Sequence, residues 1–330
     1  MGYHRLGADE REEMSRMLAQ GCSLQMIGRT LGRPASTFCR EAQAGGGNRW
    51  TYRAARAHRR AQRKASRRKL GQRKIVLRPR LRAYVHRKLR LRWSPDEIAR
   101  TLTREYPGDM TMRISPEAIY SYLYVLPKGA LKQELLACLR RERKRRHKRR
   151  TSAERVAEPK IQDMLSIEER PREVADRIVP GHWEGDLLVG KNRQSFLGSL
   201  VERTTRTTIL VPLKNKTAAE VRQAFAREAK KIPAHLRHSL TYDQGREMAE
   251  HKRFTQATRM QVYFAHPGSP WERGTNENTN GMVRQFFPKG TDFSKISRRA
   301  VKRVQHLLNG RPRKVLGYAT PYEVFHSLLR

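Results

Sequence analysis

Acidic residues are scarce in this sequence of 330 residues. It contains 31 Asp and Glu against 71 Lys and Arg, which gives a formal net charge of +40 and an isoelectric point near 11.2. Such a surface repels itself unless phosphates neutralise it, so the composition indicates nucleic acid as the partner. Hydrophobic residues make up only 37% of the chain. We therefore expect two or three domains, some of them with little core, rather than one packed globule.

Cysteines and long apolar runs are also few. The three cysteines, Cys22, Cys39 and Cys138, are widely spaced and form no CxxC pair, so neither a disulfide framework nor a cysteine zinc site is predicted. No run approaches the roughly 18 apolar residues of a membrane-spanning helix. The first residues, MGYHRLGADEREEM, lack the apolar core of a signal peptide. These absences predict a cytoplasmic protein with no membrane partner.

The basic residues are concentrated in two runs. Between Arg49 and Arg92 there are nineteen Lys or Arg and no acid, and between Arg140 and Arg150 there are nine with one acid. The first run is rich in helix-forming Ala, Arg and Lys, which favours a helix along the DNA backbone; a solvated basic linker is the alternative. The second run indicates a domain boundary. The candidate phosphate contacts are Arg49, Arg53, Arg56, Arg60, Lys64, Arg67 and Arg68.

Three short helices are predicted within residues 9–42. Gly21 ends the first helix, Ser23 is the cap of the second, and Gly28 is small enough for the third to cross closely. This spacing is typical of a helix-turn-helix, whereas a generic three-helix cluster is the alternative. In the third helix, Ser36, Thr37 and Arg40 are the candidate base contacts.

A similar pattern lies between Trp93 and Val125. The segments WSPDEIARTLTREYP and SPEAIYSYLYV both place Ser and Pro at a helix start. They predict a second, less typical helix-turn-helix, whose tyrosines we expect to pack in a core.

Short apolar runs alternate with turns from Ile178 onward. The segments HWEGDLLVG, SFLGSLVERT, TTILVPLKN, SLTYDQG and QVYFAHP are predicted strands, and TAAEVRQAFAREAKK is a predicted amphipathic helix. The order of these elements is three strands followed by alternating helices and strands. This order is typical of an α/β domain with a mixed sheet.

Two aspartates occupy unusual positions in these strands. Asp186 lies inside the first strand and Asp243 ends the fourth, although aspartate is disfavoured in strands and costly to bury. A cap or turn role is the better interpretation of either one alone. Two such aspartates joined by a glutamate from an adjacent helix would form an acidic cluster that a divalent cation stabilises. We expect Mg²⁺, with Mn²⁺ as a substitute, and two ions for phosphoryl transfer.

Two glutamates are candidates for the third carboxylate. Glu272 and Glu277 are five residues apart, or about 140° around a helix, so both cannot face the same metal. Arg284 follows Glu277 by seven residues on the same face, where it could hold a DNA phosphate. We favour Glu277 and keep Glu272 as the alternative, since Glu272 is placed to interact with the helix dipole or with Arg273.

The segments GDLLVG, TYDQG, WERGTNENTNGMVRQFFPKGTD and LNGRPRKVLGYATPYEVF resemble the IS-thirty family of bacterial insertion-sequence transposases, within the retroviral-integrase superfamily. The resemblance covers nearly the whole chain. It implies an RNase H-like fold and matches Asp186, Asp243 and Glu277 to the family's DDE triad, with 33 residues between the last two. It also implies a dimer or higher oligomer that binds terminal inverted repeats and target DNA. The expected location is the bacterial cytoplasm, in association with the nucleoid.

The expected architecture is α plus α/β, with helical helix-turn-helix domains before the mixed-sheet catalytic domain. The predicted parts are a helix-turn-helix domain (1–48), a basic helical linker (49–92), a second helical domain (93–138), a basic linker (139–177) and the catalytic domain with C-terminal helices (178–330). The expected function is a DDE transposase that cleaves and joins DNA. A non-enzymatic, sequence-specific DNA-binding protein or repressor is the alternative.

Overall fold

The computed structural model describes residues 6–44, 50–139 and 161–329, apart from the side chains of residues 66–73 and of Pro270. Arg49 and the second basic run lie outside these residues, and of Arg67 and Arg68 only the backbone is described. The helices are α1 (Ala8–Ala19), α2 (Leu24–Thr30), α3 (Ala35–Gln43), α4 (Ala54–Leu77), α5 (Pro79–Arg90), α6 (Pro95–Glu105), α7 (Pro116–Val125), α8 (Ala130–Ala137), α9 (Glu173–Asp176), α10 (Ala218–Ala229), α11 (His251–Thr258), α12 (Gly274–Val283), α13 (Arg298–Asn309) and α14 (Pro321–Ser327). The strands are β1 (His182–Val189), β2 (Phe196–Glu202), β3 (Thr208–Leu213), β4 (Ser239–Tyr242) and β5 (Gln261–Phe264).

Contacts divide the chain into two units. The first comprises Met1–Arg82 with Glu117–Leu126, and the second comprises Ala83–Pro116 with Pro127–Arg330. Helix α6 therefore belongs to the second unit, whereas almost all of α7 belongs to the first. The two helices of the second helix-turn-helix pattern are thus formed as predicted, but they fall in different units. The domain boundaries drawn from the sequence remain predictions.

Helices α1, α2 and α3 confirm the three helices predicted in the first unit. The Ser23 hydroxyl accepts the backbone N–H of Met26 at 3.2 Å and caps α2 as expected. At Gly28, a Cβ atom would lie only 2.8 Å from the Arg33 carbonyl oxygen and 3.1 Å from the Ala35 nitrogen, so the close approach of the turn and the start of α3 requires glycine. Helices α4 and α5 confirm that the first basic run is mostly helical.

Helix α6 packs against the C-terminal segment of the second unit. Its first turn is a capping box in which Ser94 and Glu97 exchange hydrogen bonds. The Glu97 carboxylate also accepts Arg311 at 2.9 Å, and Asp96 accepts the Tyr318 hydroxyl at 2.6 Å. The acids that start α6 therefore also anchor a segment more than 200 residues later in the chain.

The second unit contains a five-stranded mixed sheet with the order β3-β2-β1-β4-β5. Strands β1, β2 and β3 are antiparallel neighbours, whereas β1 pairs with β4, and β4 with β5, in parallel. All five strands and helix α10 occur where the sequence predicted them. The predicted mixed-sheet α/β arrangement is confirmed.

Hydrophobic residues cover both faces of this sheet. On one face, Trp183 and Leu240 pack with Phe225 of α10 and Phe254 of α11. On the other face, Leu188 lies in a second cluster formed by residues of α12 and α13. Because side chains alternate along a strand, Glu184 and Asp186 share the face of Leu188 and point toward the α12 side. The described helices include none long and apolar enough to cross a membrane.

His182, the first residue of β1, gives a pH-dependent prediction. Burial lowers the pKa of His182 to about 4, with His238 and Glu173 as its titratable neighbours and Ser239 bonded to its Nδ1. A neutral folded histidine contributes stability above about pH 6.5 that is lost as the pH falls toward 4. We expect urea unfolding to show a loss of about 2 kcal/mol from this group between pH 7 and pH 4.5. The His182→Gln variant should lose less over this interval, and an equal loss would contradict the assignment.

Candidate active site

The sheet register places Asp186 and Asp243 side by side. The last paired residues of β1 and β4 are Glu184 and Thr241, so two residues farther along both strands bring the aspartates level. Neighbouring strands are about 4.8 Å apart. Gly185 and Tyr242 directly precede the two aspartates. A Cβ at Gly185 would lie 2.8 Å from the Tyr242 ring, so the ring packs directly on this glycine. The two predicted aspartates thus lie side by side, Asp186 within β1 and Asp243 directly after β4.

A single guanidinium bridges the two aspartates. Arg273, immediately before α12, places Nη1 3.5 Å from the Asp186 Oδ1 and Nη2 3.2 Å from the Asp243 Oδ2. Its Nη1 also donates to the Gly185 carbonyl oxygen at 3.0 Å. Burial raises the pKa of Asp186 and the nearby Asp243 carboxylate adds to this rise, whereas Arg273 opposes it. Sequence reasoning did not assign this role to Arg273.

Helix α12 supplies the second contact to Asp186. The Asn280 side-chain amide donates to the Asp186 Oδ2 at 2.7 Å. Arg273, Glu277, Asn280 and Arg284 are spaced by four, three and four residues, so they share one stripe of the helix. Since Arg273 and Asn280 both contact Asp186, Glu277 lies on the stripe that faces this aspartate.

Glu277 is exposed and lines a cavity of about 740 Å³, together with Arg284 and Arg92. The Arg284 guanidinium donates to the carbonyl oxygen of Val189, at the end of β1, at 2.8 Å. Arg284 therefore lies beside Glu277, as its spacing predicted. Among the described residues, no group of three or more acidic, histidine or cysteine side chains is arranged to hold a metal ion. The structure brings the two aspartates together and keeps Glu277 at the neighbouring cavity.

Glu272 is engaged elsewhere. Its carboxylate accepts the backbone N–H of His266 at 2.8 Å and lies 2.8 Å from the His266 Nδ1. Its partner is therefore His266 rather than Arg273, which instead contacts the two aspartates.

A further carboxylate that the sequence analysis missed is near the aspartates. Glu247 is half-buried, four residues after Asp243, and burial raises its pKa, with the charges of Asp243 and Asp186 adding to the rise. The short spacing within DQGRE was the available signal.

Glu184 fixes the start of α12. This fully buried side chain accepts the backbone N–H of Asn276 at 2.8 Å through Oε2, and its Oε1 lies 3.3 Å from the Arg203 Nε. The Asn276 side chain in turn donates to the Glu184 carbonyl oxygen at 2.9 Å. Because Glu184 lies two residues before Asp186 on the same face of β1, it ties the helix that carries Glu277 to the strand that carries Asp186.

Comparison with known proteins places this arrangement in a family. The integrase core domain matches residues 176–270, and a helix-turn-helix domain matches residues 2–42. The chain is 43% identical to the transposase for insertion sequence element IS1086 of Cupriavidus metallidurans, over 99% of this chain and 96% of that protein. It is 41% identical to the transposase InsI for insertion sequence element IS30A of Escherichia coli, over 97% and 82% of the two chains. The chain belongs to the IS30 (IS-thirty) family of transposases.

The predicted DNA contacts of this transposase lie mostly on exposed surfaces of the first unit. In α3, Ser36 and Arg40 are exposed and Thr37 is half-buried. Arg53, Arg56 and Lys64 are exposed at or within α4. Arg60 is half-buried and donates to the Glu41 carbonyl oxygen at 3.2 Å, so it also ties α4 to α3. The roles of these residues in DNA binding stay predictions.

The transposase has a second, arginine-lined cavity beside α12. It measures about 330 Å³, and its lining includes Arg177, Arg206 and Arg313 with Thr275 and Asn278 but no acidic side chain among the described residues. The Arg206 Nη1 donates to the Thr275 hydroxyl at 2.6 Å, whereas its Nε is buried without a hydrogen-bond partner. Asn278 and Gly274 line both this cavity and that of Glu277. The two cavities are therefore neighbours across α12.

The buried Glu184 gives a stability prediction. The Glu184→Gln variant should lower the free energy of unfolding by about 3–5 kcal/mol, because it removes the carboxylate that is paired with the buried Arg203 guanidinium. The matched variant Glu250→Gln weakens the part-exposed pair with Arg222 and should cost less than about 1 kcal/mol. Urea unfolding measures both, and a Glu184→Gln cost as small as that of Glu250→Gln would contradict the anchoring role.

Proposed function

We propose that this transposase binds the terminal inverted repeats of an insertion sequence and performs metal-dependent DNA cleavage and strand transfer with Asp186, Asp243 and Glu277. The observation that carries the proposal is the level placement of the two aspartates against the helix of Glu277. Because the reaction joins two element ends to a target, we also propose that the protein acts as a homodimer or larger assembly. Its substrate would be cytoplasmic DNA.

The aspartate pair fits a divalent cation. Both carboxylates are partly exposed, which allows an ion to enter, and their oxygens are the hard donors that Mg²⁺ prefers. The Arg273 guanidinium already occupies the position of a cation between them. Integrase-type transposases use divalent ions generally, and we propose Mg²⁺, replaceable by Mn²⁺, with two ions per site. Bound there, the metal would supply Lewis-acid activation of the attacking oxygen and stabilisation of the leaving one.

The residues of the chain have distinct parts in this proposal. Asn280 holds Asp186 in place through its amide, and Glu184 holds the start of α12. Glu277 approaches from the cavity side to complete the carboxylate set. Arg284, beside it, is placed to bind a phosphate of the DNA end. Ser36, Thr37 and Arg40 are proposed to read the repeat, while the basic face of α4 contacts phosphates.

Strand transfer on a duplex that carries the element's own terminal repeat tests the catalytic assignment. With Mg²⁺ or Mn²⁺, the wild-type protein should yield joined products. Glu277→Gln should abolish them, because removal of a metal-binding carboxylate leaves the transition-state charge unsupported. Glu272→Gln is the matched control and should keep most of the activity, since its carboxylate binds His266.

Loss of joined products in Glu272→Gln alone would move the third carboxylate to Glu272. Tight repeat binding by the wild-type protein without any cleavage would favour the alternative of a non-enzymatic DNA-binding protein.

The arginine-lined cavity supports the binding of DNA phosphates beside α12. Substitution of Arg206 tests this. Arg206→Gln should weaken binding to duplexes of any sequence and lower the slope of log affinity against log salt by about 1. Arg253→Gln, with an exposed guanidinium on α11, makes the same charge change away from the cavity and should leave the slope unchanged. Fluorescence anisotropy across a salt series measures both, and equal slopes in the two variants would contradict phosphate binding at Arg206.

A further inference from the structure

Arg273 is largely buried, although the next residue, Gly274, lines the cavity of Glu277. Its side chain is 16% exposed, and its two terminal nitrogens contact Asp186, Asp243 and the Gly185 carbonyl oxygen. Its Nε is buried and has no hydrogen-bond partner. The guanidinium is therefore held mainly by the charges of the two aspartates and only partly by neutral hydrogen bonds.

The aspartates need a cation in any state of the protein. Two carboxylates level on adjacent strands repel each other, and partial burial strengthens the repulsion by lowering the local dielectric constant. Arg273 relieves this repulsion with one group that reaches both carboxylates. A metal ion on Asp186 and Asp243 would need the same carboxylate oxygens.

Open space lies next to Arg273, at the start of α12. The next residue, Gly274, lines both the cavity of Glu277 and the arginine-lined cavity. A Cβ built on Gly274 would meet nothing within 4 Å, so the space beside the α12 start is open. A guanidinium displaced from the aspartates could turn toward this open side of the α12 start.

We infer that Arg273 is a resident counter-ion, which positions Asp186 and Asp243 before metal arrives and competes with the divalent cation for them. The inference rests on the proposed metal site at these aspartates. It assigns Arg273 as a positioning residue that gives way when metal binds. A permanent structural salt bridge would behave in the opposite way, because its removal would disorder the aspartates and weaken metal binding.

Direct Mn²⁺ binding to the full chain without DNA separates these two roles. Free Mn²⁺ is counted by electron paramagnetic resonance for the wild type, Arg273→Gln and the matched surface variant Arg253→Gln. Arg273→Gln should bind Mn²⁺ about ten-fold or more tightly than the wild type, since no guanidinium has to be displaced. Arg253→Gln should match the wild type, and Asp186→Asn should lose the site.

Thermal unfolding provides the second readout. In EDTA, Arg273→Gln should melt at a lower temperature than the wild type, because the aspartates lose their counter-ion. Saturating Mn²⁺ should raise its melting temperature by more than it raises that of the wild type. If Arg273→Gln does not fold, Arg273→Lys tests the same competition, because an ammonium cannot span both carboxylates. Its Mn²⁺ affinity should then exceed that of the wild type by a smaller factor.

Unchanged or weaker Mn²⁺ binding in the folded Arg273 variant would overturn the inference while leaving the proposed metal site intact. An equal gain in Arg253→Gln would also overturn it, because the effect would then reflect net charge. Absence of Mn²⁺ binding by the wild type would overturn the metal part of the proposed function and this inference with it.

Discussion

Repulsion between two level carboxylates is the constraint around which the catalytic unit is arranged. Asp186 and Asp243 meet because β1 and β4 are parallel neighbours in register, with Asp243 directly after the end of β4. Arg273, at the start of α12, neutralises both carboxylates, and Asn280, within the helix, donates a hydrogen bond to Asp186. The chain's own residues make these contacts, so the geometry of the site depends on where α12 lies against β1.

The contact between α12 and the sheet is unusually polar. Asn276 and Asn280 both lie close to the buried Ser199 hydroxyl of β2, at 3.1 and 3.0 Å, and Asn276 is also bonded to Glu184. Buried polar groups that are all paired specify one arrangement more strictly than apolar contacts do, because a shifted helix would leave them unsatisfied. This polar seam holds the register of α12, whereas Met282 and Val283 supply its hydrophobic contact. Glu277 is presented on the adjoining exposed face.

Much of this fold follows from local sequence patterns. Alternating apolar runs predicted the strands, capping residues predicted α2 and α6, and the unusual strand positions singled out Asp186 and Asp243. The contacts that complete the site did not follow, because they join residues distant in sequence: Arg273 reaches back 87 residues to Asp186, and Arg311 reaches Glu97 across 214 residues. The helical spacing that identified Arg284 applied equally to Arg273, one turn before Glu277. Only the tertiary structure shows that its guanidinium points at the aspartates.

We propose that Asp186, Asp243 and Glu277 together form the metal centre of this transposase. Anomalous diffraction from crystals grown with Mn²⁺ and a duplex carrying the terminal repeat tests it most directly. We expect manganese peaks at the Asp186 and Asp243 carboxylates, a Glu277 oxygen among the ligands, and the Arg273 guanidinium displaced from both aspartates. Manganese bound elsewhere, or bound at the aspartates with Glu272 in place of Glu277, would contradict the account.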